Sequence, residues 1–408
     1  MMTFVFRDVG DVSSVAGTSL LGHDFEFPRL VIKRSALDHN IAAMAEFCTA
    51  RRVSLAPHAK TTMAPNILRR QMSGGAWAMT VATMYQLRLC LEWGIPRVLV
   101  ANELVNARAA QWLGAELAAR DGAVEVFCLV DSPAGVENLS NGLRASGLTK
   151  PFPVLVELGP AGGRAGCRTV DEAVAVAGCV LDSPFLELAG VEGFEGILGA
   201  TRVPENLARV DRFLQAMQTL ARRLQTENLF RPTGEVVLTA GGSTYFDRVA
   251  AVLSATGLDR PTRVVLRSGC YVTHDHRDYG GPGPLTGRAE QPGFTPALEL
   301  WSEVLSAPEP DRAIAGFGRR DAPFDAGLPV VLSRVPVGEP RPPVEVVGSV
   351  TELNDQHAYI DTSKAPEVRV GDRLICGIRH PCTAFDKWRR VLMVDDNYTV
   401  VEVIETFF

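Results

Sequence analysis

The sequence has no uninterrupted apolar run approaching the roughly 18 residues of a membrane span, so no helical membrane anchor is expected. Nor is there an excess of basic charge: 41 Lys and Arg against 47 Asp and Glu leave a net charge of −6. Such a balance offers no general attraction for nucleic acid. The eight cysteines, at 48, 90, 128, 167, 179, 270, 376 and 382, lack the tight spacing of a disulfide scaffold or a Cys-x-x-Cys zinc module. Most lie in apolar contexts, as reduced core residues do. There is no internal repeat and no low-complexity tail. The first residues, with Arg7, Asp8 and Asp11 among them, carry no signal-peptide h-region, and the expected location is the cytoplasm.

What is present is ample core. Hydrophobic residues make up 46% and charged residues 22% of the chain, the proportions of a globular protein. At 408 residues the chain exceeds one ordinary domain of roughly 100–200 residues, whereas an α/β barrel of about 250 plus a smaller domain fits.

Residues 1–27 show no strong period and are expected to pack on the second domain. Ser35 is the expected N-cap of a helix carrying Leu37, Ile41, Met44 and Phe47 at helical spacing. From there short apolar runs alternate with amphipathic stretches, the pattern of successive βα units. The runs are Val53 to Ala56, Ala76 to Ala82, Val98 to Ala101, Val124 to Val130, Val154 to Glu157, Val191 to Glu195, Glu235 to Thr239 and Val264 to Arg267. Eight is the number that closes a parallel barrel. Leu104 to Leu117 and Leu207 to Leu224 are the clearest intervening helices. After about Gly293 the texture becomes alternating and antiparallel in character, as in Leu298 to Val304, Val344 to Val347 and Val400 to Ile404, with a proline-rich loop at Pro336 to Pro343. The expected fold is therefore α/β: a (β/α)8 TIM-like barrel over 28–290 and a mainly antiparallel β domain from 1–27 plus 291–408.

Four stretches carry candidate chemistry. Lys60, in Pro57-His58-Ala59-Lys60-Thr61, follows the first strand, where a barrel places its active site and where desolvation makes an amine a nucleophile or base, although a lysine at such a place taken alone also fits a surface loop. His58, two residues earlier, is a proton relay or a plain support. Gly241, Gly242 and Ser243 follow the seventh strand ahead of a helix, and Gly269, Cys270 and Tyr271 follow the eighth, the two loops where many barrels hold a phosphate. Taken singly, either loop is equally well explained by tight strand-to-helix turns. Arg164, in Gly162-Gly163-Arg164-Ala165-Gly166, offers a planar fork for a carboxylate or lies on the surface at a helix start. His380 and Cys382, two apart after the apolar Leu374-Ile375-Cys376, can converge on one metal, and imidazole with thiolate suits Zn²⁺. Alone, that pattern also fits a packed histidine and an inert cysteine. His274, Asp275 and His276 read as a solvated or cofactor-adjacent loop, and His357 as a structural histidine.

The lysine stretch, the glycine loops and the His-x-Cys stretch together resemble the fold-type III pyridoxal-phosphate enzymes, specifically the D-serine dehydratase and D-threonine aldolase group. The resemblance runs from about Pro28 to the C-terminus. It implies that Lys60 is the Schiff-base lysine and the catalytic base at Cα. It also implies that Gly241, Gly242, Ser243, Gly269, Cys270 and Tyr271 hold the cofactor phosphate. Arg164 is then near the cofactor ring, and His380 with Cys382 binds a divalent metal. Cysteine in that pair is similar to the dehydratase type, whereas aldolases tend to carry His-x-Asp. The implied reaction is dehydration of a D-3-hydroxy amino acid to a 2-oxo acid and ammonia, by a homodimer acting on a small molecule. Retro-aldol cleavage, racemisation and a carrier of pyridoxal phosphate are the alternatives. One departure is Thr62-Met63, where relatives carry histidine and lysine, a change expected to alter the substrate pocket.

Overall fold

The computed structural model describes residues 15–276, 283–285, 293–338 and 341–408. Residues 1–14, the expected domain boundary near 290 and part of the proline-rich loop lie outside the described residues.

A strand, β1 (Arg29–Lys33), leads into helix α1 (Arg34–Arg51). The helix starts two residues earlier than expected: Lys33 is at the cap position, and the Ser35 hydroxyl instead donates to Asp396 Oδ1 at 2.6 Å. Eight parallel strands follow, β2 (Ser54–Leu55), β3 (Met79–Val81), β4 (Arg97–Glu103), β5 (Glu125–Val130), β6 (Phe152–Leu158), β7 (Leu186–Gly193), β8 (Val236–Ala240) and β9 (Thr262–Leu266). Each overlaps one of the eight apolar runs, because strands buried on both faces read as continuous apolar sequence, but β7 begins at Leu186, five residues before its expected start at Val191. The intervening helices are α2 (Pro65–Ser73), α3 (Met84–Glu92), α4 (Ala107–Ala119), α5 (Pro133–Arg144), α6 (Val170–Leu181), α7 (Pro204–Thr226) and α8 (Phe246–Leu253). Their starts are set locally: Ser132, Thr169 and Asn106 accept backbone N–H bonds at their N-caps, and prolines 65, 133 and 204 occupy first-turn positions.

The sheet curls so that β2 pairs with β9 at one end, while Trp77 N donates to Leu55 O at 2.7 Å and Thr80 N to Pro57 O at 2.9 Å at the other. Those bonds and a His58–Thr80 bridge bring its two ends together as a barrel. Its interior is filled by Ala56, Ala78, Leu99, Phe127, Leu129, Leu155, Ala189, Val237 and Val265, so it is a packed core with its opening at the strand ends.

The second sheet contains β10 (Leu298–Glu309), β11 (Arg312–Ala315), β12 (Val330–Val335), β13 (Val344–Glu345), β14 (Ser349–Leu353), β15 (Ala358–Asp361), β16 (Arg373–Gly377), β17 (Arg390–Val394) and β18 (Val400–Glu405). All its pairings are antiparallel except β1 with β17. Strand β1 belongs to this sheet, so residues 29–33, expected at the start of the barrel, pair instead with β10 and β17. Val15, Leu20 and Phe25 pack into the same core with Trp301 and Leu392.

The β domain reaches back over the barrel mouth. Asn66 and Arg70 of α2 hold Glu402 of β18 at 2.6 and 2.9 Å, and Phe407 N donates to Met63 O at 3.0 Å, directly after the Lys60 turn. Among the described residues no helix is long and apolar enough to cross a membrane.

Candidate active site

Lys60 sits in a single 3-10 turn, Ala59–Thr61, beyond the end of β2. Ala59 and Thr61 are buried, whereas Lys60 is exposed rather than stripped of water as its place after a strand suggested, so the turn offers the amine at the barrel mouth while its neighbours anchor it. The loop after β9 presses on this turn. A Cβ on Gly269 would lie 2.4 Å from Thr61 Oγ1 and 3.0 Å from His58, so only glycine permits the contact. Burial, followed by the charges of Lys60, Arg267 and Arg164, lowers the His58 imidazole well below its ordinary pKa. His58 is therefore neutral at pH 7 and stands in a field of three cations. Thr62 and Met63 are both buried, and Met63 takes a positive φ of 41°, so the family departure falls in the core beneath the turn.

The two glycine loops meet. Ser268 Oγ donates to Gly242 O at 2.9 Å, joining the loop after β8 to the loop after β9. Gly241 leaves room for Arg267, since a Cβ there would lie 2.7 Å from its Nε. Arg267 is buried, ion-paired to Glu192, and donates to Thr239 Oγ1 at 3.1 Å and Gly193 O at 3.2 Å. Helix α8 begins at Phe246, three residues beyond Ser243, so the expected direct abutment of Gly241–Ser243 on a helix N-terminus is replaced by a short connecting turn. The Tyr271 phenol is also directed elsewhere: it accepts from Gln71 Nε2 of α2 at 2.9 Å, inside the helix layer. The loop of His274, Asp275 and His276 is packed rather than solvated: Asp275 is buried, His276 lies against Gly377, and burial lowers the His276 pKa to about 4. His357 is exposed beside β15.

Arg164 stacks over Phe194 at 4.7 Å from the ring centroid. Its loop is gathered by Arg168, whose guanidinium donates to the carbonyls of Gly163 (3.2 Å), Arg164 (2.9 Å), Ala165 (2.7 Å) and Gly166 (2.9 Å). One planar fork thus fixes four consecutive residues.

A set of buried carboxyls went unrecognised in the sequence. Glu157 at the end of β6, Glu192 on β7 and Glu195 just after it are all buried. Burial and, for Glu157, the neighbouring Glu192 and Glu103 carboxyls push Glu157 and Glu192 above the usual range; Arg267 opposes this at both. Burial pushes Glu195 up to about 7, against the nearby backbone of Glu195 and Gly241, neither well enough aligned to form a hydrogen bond. The available signal was acidic residues closing apolar runs at the C-terminal ends of barrel strands.

His380 and Cys382 reach this mouth from the turn after β16. Cys382 Sγ lies 3.3 Å from Thr61 Oγ1, next to Lys60, and 3.2 Å from Cys270 Sγ. His380 Nδ1 donates to Asp325 Oδ2 at 2.5 Å, and Thr383 Oγ1 donates to Asp325 Oδ1 at 2.8 Å. A carboxylate on one ring nitrogen leaves the lone pair of Nε2 for a metal, the usual outer support of a ligating histidine. Cys270, His380 and Cys382 each offer a donor atom, all within 4.8 Å of one another. The structure thus brings together Lys60, Gly269, Cys270, His380 and Cys382, with Gly242 and Ser268 tied alongside.

The family model of the alanine racemase N-terminal domain matches residues 32–232, and that of a putative serine dehydratase domain matches 297–394. D-threonine aldolase of Arthrobacter sp is 27% identical over 358 residues, 85% of this chain and 84% of that protein. 3-hydroxy-D-aspartate aldolase of Paracoccus denitrificans (strain Pd 1222) is 24% identical over 366 residues, 88% of this chain and 89% of that one. Among solved structures, D-threonine aldolase from Filomicrobium marinum superposes with a TM-score of 0.79 at 23% identity, covering 96% and 97% of the two chains. D-threo-3-hydroxyaspartate dehydratase from Delftia sp. HT23 does so with a TM-score of 0.73 at 21% identity, covering 95% and 99%.

Proposed function

Because this chain belongs to the fold-type III pyridoxal-phosphate enzymes, with an alanine racemase-like barrel and a serine dehydratase-like second domain, we propose that it is a metal-assisted dehydratase of D-3-hydroxy amino acids. Its products are a 2-oxo acid and ammonia. The observation that supports this reading is the 3.3 Å contact between Cys382 of the β domain and Thr61, the residue after Lys60, which would bring a metal held by His380 and Cys382 close to a cofactor held by Lys60.

The residues fit both groups. Two arginines and the exposed Lys60 around His58, with two joined glycine loops, suit an anionic phosphate cofactor, and the imidazole–thiol set suits a borderline-soft cation. Lys60 would hold pyridoxal phosphate, with Gly241, Gly242, Ser243 and the 268–271 loop at its phosphate. His380 and Cys382 would hold the metal. Bound there, the cofactor supplies a sink for negative charge at Cα, and the metal supplies Lewis acidity beside Cβ.

The chain's own part follows. The Lys60 amine takes the Cα proton, from a turn whose buried flanks keep it in place. His58, kept neutral by burial and three cations, adds no fourth charge to the site. Arg164 meets the substrate carboxylate, in a loop that Arg168 fixes. The proton leaves Cα, hydroxide leaves Cβ, and hydrolysis releases ammonia.

Retro-aldol cleavage to glycine and an aldehyde is the second reading, favoured by the names of the two curated relatives. The test is to supply purified, zinc-loaded protein with D-serine, D-threonine and D-3-hydroxyaspartate and score 2-oxo acid and glycine separately. Oxo acid supports the dehydratase. Glycine with aldehyde assigns the aldolase, and neither product, with cofactor bound, points to a racemase or a carrier.

A further inference from the structure

We propose that the Cys270 sulfur is a third protein ligand of the metal, making the site two thiolates and one imidazole rather than a His-x-Cys pair. The proposal rests on the metal reading above, and goes beyond it in assigning a ligand from the barrel itself.

Cys270 lies in the loop after β9, 112 residues before Cys382, yet the two sulfurs are 3.2 Å apart. The neighbouring residues of that loop are engaged otherwise: Ser268 with Gly242, Gly269 against the Lys60 turn, and Tyr271 with Gln71. Among the described residues, Cys270, His380 and Cys382 are the one group of three His, Cys, Asp or Glu donors close enough to share an ion. Cys48, Cys90, Cys128, Cys167 and Cys376 are buried core residues whose thiols burial pushes up, as an inert cysteine's should be. Cys179, Cys270 and Cys382 are half-buried, and the Cys382 thiol is pushed up as well, by its contact with Cys270 and by burial, so what sets Cys270 and Cys382 apart is that their sulfurs meet.

At the usual Zn–S length of about 2.3 Å, two tetrahedral thiolates stand about 3.8 Å apart, so these sulfurs need part by roughly half an ångström. Asp325 and Thr383 already fix the imidazole that completes the set. Three protein ligands with a fourth position open is the pattern of a catalytic rather than a structural zinc. Two thiolates also select zinc over magnesium or manganese, which prefer oxygen. Placing one ligand on the barrel and two on the β domain makes the metal a clasp between them, beside the cofactor lysine.

The experiment is zinc K-edge X-ray absorption on the holoenzyme loaded with one zinc per chain, with Cys270→Ser beside it, and zinc affinity by competition with a chromophoric chelator. The expected result is two sulfur neighbours in the wild type, one in Cys270→Ser, and affinity lower by about 100-fold in the variant. The wild-type spectrum alone decides if the variant fails to fold. A single sulfur in the wild type, or an affinity that Cys270→Ser leaves unchanged, overturns the third ligand while leaving the His380–Cys382 pair standing. A wild type that retains no zinc overturns the metal reading itself. Alkylation followed by mass spectrometry adds one more outcome: a Cys270–Cys382 disulfide that persists in the zinc-loaded protein would also overturn the proposal.

Discussion

The two faces of the site are built on different principles. The barrel face is organised by charge: Lys60, Arg164 and Arg267 surround His58, while Glu157, Glu192 and Glu195 sit buried behind them with raised pKa values. The β-domain face brings an imidazole and a sulfur, with an acidic side chain entering only as the outer support of His380. A charged wall can hold an anionic cofactor and tune protons, whereas soft donors hold a cation. On the proposed reading the cofactor depends on the barrel face and the metal chiefly on the β domain, and the two faces meet where Thr61 and Cys270 touch Cys382.

The sharpest way to break this comparison is on the barrel side. Lys60→Ala should lower turnover by about 1,000-fold or more, since in the proposed reaction Lys60 is both the cofactor anchor and the Cα base, and should abolish the visible absorbance of lysine-bound cofactor. On the opposite face, Cys382→Ala should cost about 100-fold in kcat and lose zinc by elemental analysis, yet keep that absorbance. Equal loss of cofactor and metal in both variants would mean that the faces are not separable.

Glu195 offers a test without substrate. Its folded pKa of about 7 lies above the ordinary 4.5, so the folded state keeps a proton that the unfolded chain releases. Stability from this group is intact below about pH 4.5 and declines as pH rises toward 7. Glu195→Gln removes that decline, so thermal unfolding of variant and wild type should converge near pH 5. By pH 8 the variant should be more stable, by up to about 3 kcal/mol. A gap that is constant with pH would contradict the assignment. The smallest effect is expected at Arg168. Arg168→Ala frees the loop that carries Arg164 and should raise KM about tenfold with little change in kcat, read from steady-state kinetics.

Much of the fold was legible because parallel strands buried on both faces leave apolar runs, and each of the eight barrel strands overlaps one, β7 only at its C-terminal end. Strand β1 was not legible as part of the second sheet, because its partners β10 and β17 lie over 260 residues away and its own run is equally apolar in either sheet. The lysine and His-x-Cys stretches were readable as local motifs. Cys270 was read only as a phosphate-loop residue, since nothing near it in sequence signals a sulfur 112 residues downstream. Tyr271 looked like its loop neighbours, but one residue of difference turns a side chain to the helix layer and Gln71. Arg168 was missed because its four partners are carbonyls, which carry no side-chain signature.

The most direct test of the account is to follow 2-oxo acid formation from D-3-hydroxyaspartate, D-serine and D-threonine before and after chelation of the holoenzyme. Oxo acid that is lost on chelation and restored by zinc, with the cofactor absorbance unchanged throughout, is the predicted result. Oxo acid formation indifferent to metal removal would contradict it.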